Sequence, residues 1–267
     1  MSRPPSFENL SPELPEESSS QVVKAQLRLR ELILAGELPG GARIAELAIV
    51  EKIGISRTPI RAALMRLEQE GLLQALPNGG YAVRTFTERD VSDAIELRGT
   101  MEGLAARLAA ERGAPAVVLA EARACLAQID ILLRGPTLSD DAFARYVVLN
   151  ERFHDLIGEL SGSPFMSREL ERVASLPFAS PSGFVSGFVI MKDNSSKARD
   201  RLVVAQDQHC QVLDAIENHE GTRAEAIMRE HSRLAQRNLR EAVRHPGQNQ
   251  VPGVQLIRRR NANDWPV

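Results

Sequence analysis

The stretch Ile53-Gly54-Ile55-Ser56-Arg57-Thr58-Pro59-Ile60-Arg61 reads as the turn and second helix of a helix-turn-helix. Gly54 closes a short helix over Glu46–Ile53, which carries Leu47, Val50 and Ile53 on one side. Ser56 offers a hydroxyl at the N-cap of the next helix. Pro59 falls in that helix's first turn, where a missing N–H is harmless. Ile60, Leu64 and Leu67 then follow at i, i+4 and i+7 as one buried stripe. Arg57 and Arg61 lie four apart at the N-terminal end, the end that recognition helices present to base edges and phosphates. A guanidinium fork pairs bidentately with guanine or phosphate, and Ser56 and Thr58 are placed to bond phosphates. Leu72–Ala75 and Tyr81–Arg84 are strand candidates joined by Pro77-Asn78-Gly79-Gly80, a hairpin turn by its chemistry. Helix, tight turn, capped helix and hairpin make a winged helix-turn-helix, and residues 20–86 are assigned to it as a DNA-binding domain.

The charge distribution agrees with that assignment. The whole chain of 267 residues carries a formal net charge of −2. Residues 21–86 nevertheless hold nine Lys and Arg against six acids, whereas residues 87–245 hold 20 against 24. Nucleic-acid binding needs local positive charge rather than a basic whole chain. Residues 1–19, rich in Pro, Ser and Glu, are expected to be a disordered arm. Residues 246–267, with Pro246, Gly247, Pro252, Gly253 and Arg258-Arg259-Arg260, are expected to be a flexible, solvated tail.

Past Phe86 the pattern changes to long amphipathic helices. Thr87 with Asp90 three residues on opens a helix that Gly113 and Pro115 stop near Arg112. Further helices are expected at about 116–134, 139–161, 165–176, 196–219 and 222–244, while 177–195 lacks a clean period. The expected fold is therefore mainly α: an N-terminal winged helix-turn-helix and, over residues 87–245, an all-helical effector-binding and dimerisation bundle. Cys125 and Cys210 stand far apart without a partner motif, which fits a reducing cytoplasm better than a disulfide scaffold. No apolar run is long enough to span a bilayer, so no membrane partner is expected.

In the bundle, Asn150 and His154 project from one helix face at i, i+4. His209 and His231 fall on the last two long helices, and a hairpin near Gly221 brings them about level. Three imidazoles and one oxygen meeting inside a bundle make a candidate site for a divalent metal, zinc above all. Spacing alone equally allows surface or hydrogen-bonded core histidines.

Three motifs together resemble one family. Gly36-Glu37-Leu38-Pro39-Gly40-Gly41-Ala42-Arg43-Ile44, the stretch Ile53–Arg61 and Leu67-Glu68-Gln69-Glu70-Gly71-Leu72 are similar to the GntR family of bacterial regulators, in order over about 60 residues. The resemblance implies operator contacts by Arg43, Arg57, Thr58 and Arg61, with Asn78 and Gly79 at a wing tip entering the minor groove. Leu47 stands where some relatives place a DNA-contacting arginine. Arg98 in Glu96-Leu97-Arg98, Phe153-His154, His209 and His231 resemble the FCD effector domain of the FadR subgroup, over roughly residues 88–243. In that domain an Asp and three His commonly hold zinc or another divalent ion; here Asn150 stands in the Asp position. Tyr146-x-x-x-Asn150-x-x-Phe153-His154 looks like the VanR branch, which answers to aromatic acids such as vanillate, and marks Tyr146 as an effector contact. Arg98 is then either the anchor for an effector carboxylate or the partner of Glu102 in an internal salt bridge. These resemblances imply a homodimeric repressor that a small carboxylate releases from a near-palindromic operator. The rival reading is a metal-dependent enzyme acting on a small acid, although no HExxH or similar motif supplies its general base.

Overall fold

Val22, Ala25, Leu29, Leu32 and Ile33 recur at helical spacing and are buried along one side of helix α1 (Glu16–Leu34) in the computed structural model of the chain. The model describes residues 16–135, 138–182, 195–244 and 251–258. Residues 1–15 of the assigned arm, 183–194 of the aperiodic segment, and 246–250 and 259–267 of the tail lie outside the described residues. Helix α1 is an element the motif reading passed over, and it takes residues 16–19 out of the expected arm. It packs along α3 (Arg57–Gln69), in which Ile60, Leu64 and Leu67 are buried as their spacing requires.

Between them lies α2 (Glu46–Ile53), closed by Gly54, whose N–H donates to the Val50 carbonyl oxygen. The buried residue of α2 is Ile49 rather than the expected Leu47, Val50 and Ile53. Val50 and Ile53 are only partly buried, and Leu47 is 58% exposed. A helix of two turns that packs mainly against α3 has room to bury one side chain fully. The wing is a two-stranded antiparallel hairpin, β1 (Leu73–Ala75) and β2 (Tyr81–Val83), with Leu73 opposite Val83 and Ala75 opposite Tyr81.

Strand β3 (Phe86–Thr87) leads directly into α4 (Glu88–Arg112). Thr87 and Asp90 form the reciprocal capping box: the Asp90 N–H donates to the Thr87 hydroxyl, and the Thr87 N–H to the Asp90 carboxylate. The bundle continues through α5 (Ala116–Leu133), α6 (Asp140–Leu160), α7 (Pro164–Ala174), α8 (Ser195–Glu217) and α9 (Gly221–Arg244). Its core is built from alanines of α4, Leu126 and Ile129 of α5, Phe153, Leu156 and Ile157 of α6, and Val212 and Ile216 of α8. α4 and α9 approach closely, since a Cβ on Gly99 would sit 2.3 Å from the Ser232 side chain. That approach brings Arg98 and His231 to one place.

The two parts of the chain on either side of Phe86 share a core: Leu29, Ile60 and Leu67 of the N-terminal module pack in one cluster with Val91 and Ile95 of α4 and Leu239 and Ala242 of α9. The expectation of a flexible tail needs correction for residues 251–258. Val251, Leu256 and Ile257 are buried in the same cluster, and β4 (Ile257–Arg258) pairs in parallel with β3. Its Pro, Gly and Arg residues concealed three apolar side chains that find a common pocket only in the folded molecule. Among the described residues no helix is long and apolar enough to cross a membrane.

Candidate functional sites: a DNA-reading face and a histidine-lined cavity

Ser56, Arg57, Thr58 and Arg61 are all exposed at the start of α3, and Arg43, Asn78 and Gly79 are exposed at the wing. Arg43 pairs with Ala82 at the edge of the hairpin and its guanidinium donates to the Gly79 carbonyl oxygen at 3.0 Å, which holds the wing tip against the preceding loop. Ser56 occupies the N-cap in an extended conformation, yet its side chain accepts no cap hydrogen bond, contrary to expectation. The cause is Pro59. It stands at the third helical position, and an amide that would ordinarily donate to the cap hydroxyl is missing. Arg57 forms no ion pair among the described residues. Arg61 differs: its Nε donates to both carboxylate oxygens of Glu46, at 3.0 and 2.9 Å. Glu46 was not singled out as a site residue, having no pattern of its own that links it to a residue fifteen positions on.

The second site is a cavity of about 430 Å³ between α4, α6, α8 and α9, with Arg98, Tyr146, Asn150, Pro181 and His231 among its lining residues. His154 on α6, His209 on α8 and His231 on α9 are buried and offer one ring nitrogen each within 4.8 Å of one another. Their tautomers follow from their partners. The His154 Nδ1 lies 2.8 Å from a Glu102 carboxylate oxygen, that of His209 3.4 Å from Gln206 Oε1, and that of His231 3.1 Å from Gln208 Oε1. Each partner is an acceptor, so each Nδ1 carries the hydrogen and each Nε2 presents a lone pair. The His209 and His231 Nε2 atoms then face each other at 3.1 Å, and the buried His154 Nε2 has no hydrogen-bond partner. Two lone pairs at that distance repel unless a cation lies between them. Imidazole nitrogens each about 2.0–2.1 Å from one zinc ion stand roughly 3 Å apart, so this donor set fits a divalent ion. The Glu102–His154 contact supplies the carboxylate that fixes a ligand imidazole from behind.

Burial and the neighbouring imidazoles hold His209 well below its ordinary 6.5 and His231 at about 3. These two rings are thus suited to donate lone pairs at neutral pH. Burial alone pushes the Glu102 carboxyl up, but the Arg98 guanidinium and His154 together outweigh it and leave it at about 2. Of the two readings of Arg98, the ion pair with Glu102 is present. Arg98 lies 3.7 Å from Glu102, close enough for ionic attraction and too far for a hydrogen bond, and its Nε and one Nη stay buried without partners. Asn150, expected beside the metal, spends its amide elsewhere. Its oxygen accepts from the Tyr146 hydroxyl and its nitrogen donates to the Ser182 hydroxyl, both at 3.3 Å. A carboxylate in its place could not make the second bond. Glu102 and Ser182 were not singled out as site residues. The sole signal for Glu102 was its place one turn after Arg98, and for Ser182 there was none.

Residues 93–234 match the FCD domain and residues 21–83 the family "Bacterial regulatory proteins, gntR family". An uncharacterized HTH-type transcriptional regulator of Bacillus subtilis, YdhC, is 27% identical over 207 residues, 78% of this chain and 75% of that one. The HTH-type transcriptional repressor GlaR of Escherichia coli is 25% identical over 206 residues, 76% of this chain and 88% of that one. Two solved structures share the fold: Escherichia coli McbR/YncC, with a TM-score of 0.58 at 19% identity over 83% of this chain and 97% of that one, and Lar of Listeria monocytogenes, with 0.58 at 15% over 89% and 99%. The matched families and named relatives are regulators and not enzymes, which removes the metal-dependent enzyme reading. This chain belongs to the GntR family of transcriptional regulators and carries the FCD effector-binding domain.

Proposed function

We propose that the protein is a cytoplasmic homodimeric repressor that leaves its operator when a small carboxylate, aromatic in the manner of the VanR-like branch, enters the FCD cavity. One observation carries the effector half: a buried arginine with unpaired N–H donors lines the same cavity as His231, one of the three clustered imidazoles. Buried donors without partners are costly, and a carboxylate restores their bonds. His154, His209 and His231 hold a divalent ion, zinc by its nitrogen donors, and that ion supplies a positive centre for the effector's oxygens. Asn150 and Tyr146 shape the wall beside it. On the DNA side, Arg57 and Arg61 with Ser56 and Thr58 address the major groove, and Arg43 holds the wing tip at Asn78-Gly79 for the minor groove.

The effector prediction is read by fluorescence anisotropy on a labelled duplex from the gene's own upstream region. Benzoate-type acids, vanillate among them, release wild-type protein from the duplex. Arg98→Met keeps DNA affinity and loses that response; release of the variant at wild-type acid concentrations would sink the assignment.

The metal prediction is read by urea denaturation. In protein stripped with chelator, the unfolded chain takes up protons on His209 and His231 near pH 6.5, whereas the folded chain does not. Stability from these two rings is complete above pH 6.5 and is lost as pH falls, for His231 down to about pH 3. Near pH 5 the two rings together give a slope of roughly 2–3 kcal/mol per pH unit. Glu102 adds to the loss only below about pH 4.5, where its unfolded carboxyl protonates. Zinc restored at neutral pH raises stability by about 3 kcal/mol at a hundredfold excess over its dissociation constant. No gain with zinc, or an equal gain in His154→Ala, would overturn the metal assignment.

A further inference from the structure

A short loop after α7 touches the cavity at one end and the N-terminal module at the other. At one end Pro181 lines the cavity, and the buried Ser182 hydroxyl accepts from Asn150, which itself accepts from Tyr146. The Ser182 hydroxyl also donates to the Val147 carbonyl oxygen, which ties the loop to α6 a second time. Four residues earlier, Phe178 lies edge-on against Phe86 of β3, with ring centroids 5.4 Å apart. Phe86 belongs to the strand that joins the DNA-reading module to α4. Phe178 also faces Gly253 in the C-terminal segment, where a Cβ would meet its ring at 3.1 Å. Pro177 lies against Gly71, in the turn that follows the recognition helix. Ala179, between the two ends, is fully buried.

The backbone of this loop is held under strain. Phe178 has φ of +64°, a left-handed conformation that costs a non-glycine residue on the order of 1 kcal/mol or more and persists only where packing enforces it. The C-terminal segment is part of that packing. Gly253, at φ +80°, donates its N–H to the Leu34 carbonyl oxygen at 2.9 Å, and the Gln255 amide donates to the same oxygen at 3.0 Å. The five residues from Phe178 to Ser182, fixed at both ends, have little slack, so a shift at Ser182 reaches Phe178 rather than dissipating.

We infer that residues 177–182 couple the cavity to the DNA-reading module, with Phe178 as the residue that positions the module. This rests on the function proposed above. An effector that takes the Asn150 or Tyr146 hydrogen bonds for itself releases Ser182, and the strained Phe178 then leaves Phe86 and Gly253. The module loses its fixed pose on α4. Linkage requires the reverse as well: DNA bound at α3 alters the cavity wall.

The reverse direction needs no identified effector, and hydrogen–deuterium exchange on the full chain with the upstream duplex reads it. In wild type, duplex binding changes exchange at 146–150 and 177–182 as well as at α3. Phe178→Ala and Ser182→Ala each abolish the change at 146–150. The double variant behaves as either single one, because the two residues are links in series. Ser182→Ala deletes one hydroxyl and no apolar side chain of the shared core, which guards against a simple folding defect. Losses that add in the double variant, or a single variant that keeps the full response, overturn the relay. Tight duplex binding by wild type with no change at 146–150 removes the relay alone. No duplex binding by wild type removes the DNA reading and the relay with it.

Discussion

Alanine at both Arg57 and Arg61 is expected to weaken binding to the upstream duplex by roughly 30-fold to 10⁴-fold at fixed salt. Each guanidinium bonded to a base edge or a phosphate contributes about 1–3 kcal/mol, and both arginines act from one recognition helix. The two arginines should not fail in the same way. Arg57 makes no ion pair among the described residues, so its whole charge is available to the phosphates. Its loss alone should lower the salt slope by about one unit and weaken all sequences alike. The charge of Arg61 is offset by Glu46, which engages Nε and would repel a phosphate. Its amino groups remain as donors to base edges, so Arg61→Ala should relax sequence preference and leave the salt slope nearly unchanged. Anisotropy titrations over several salt concentrations, on the upstream duplex and a scrambled one, measure both effects. Wild-type affinity in the double variant would refute the DNA-reading face.

Leu256→Ala is the second change with a large expected effect. Leu256 is fully buried in the core shared by the N-terminal module, α4, α9 and the C-terminal segment. Deleting a buried leucine side chain costs about 2–5 kcal/mol, the transfer energy of the lost methyl groups plus a residual cavity. In a chain of this size that lowers Tm by roughly 5–15 °C in scanning calorimetry. Arg258→Ala, on the exposed face of β4, is the matched control and should change Tm little. A Leu256→Ala protein that melts with wild type would mean that the segment 251–258 is not docked in solution.

The parts of this protein legible in the sequence are those whose cause is local. Ile60, Leu64 and Leu67 bury one face of α3 because of their spacing. Thr87 and Asp90 cap α4 because three residues separate them, and glycine and proline fix the ends of the long helices. The unused Ser56 hydroxyl was also a local matter, since Pro59 removes the donor it needed. His209 and His231 could be proposed to meet because one helical hairpin makes their levels countable, and the resemblance to the FCD domain added His154.

Where the cause is a meeting of distant segments, the sequence carried no sign of it. Glu46 under Arg61, Glu102 behind His154 and Ser182 on Asn150 have no periodicity connecting them. Whether a polar side chain serves a site or merely faces water depends on which neighbours exclude the water. The C-terminal segment shows the same limit most clearly. Its composition marks solvated chain, and only the joint surface of α1, α4 and α9 makes burial of Val251, Leu256 and Ile257 favourable enough to offset the entropy of ordering it. The sequence by itself determined the winged helix-turn-helix, the helical bundle and the residue types of both sites. Tertiary structure alone decided that the two domains share a core, and that a short loop lies between the cavity and the DNA-reading module.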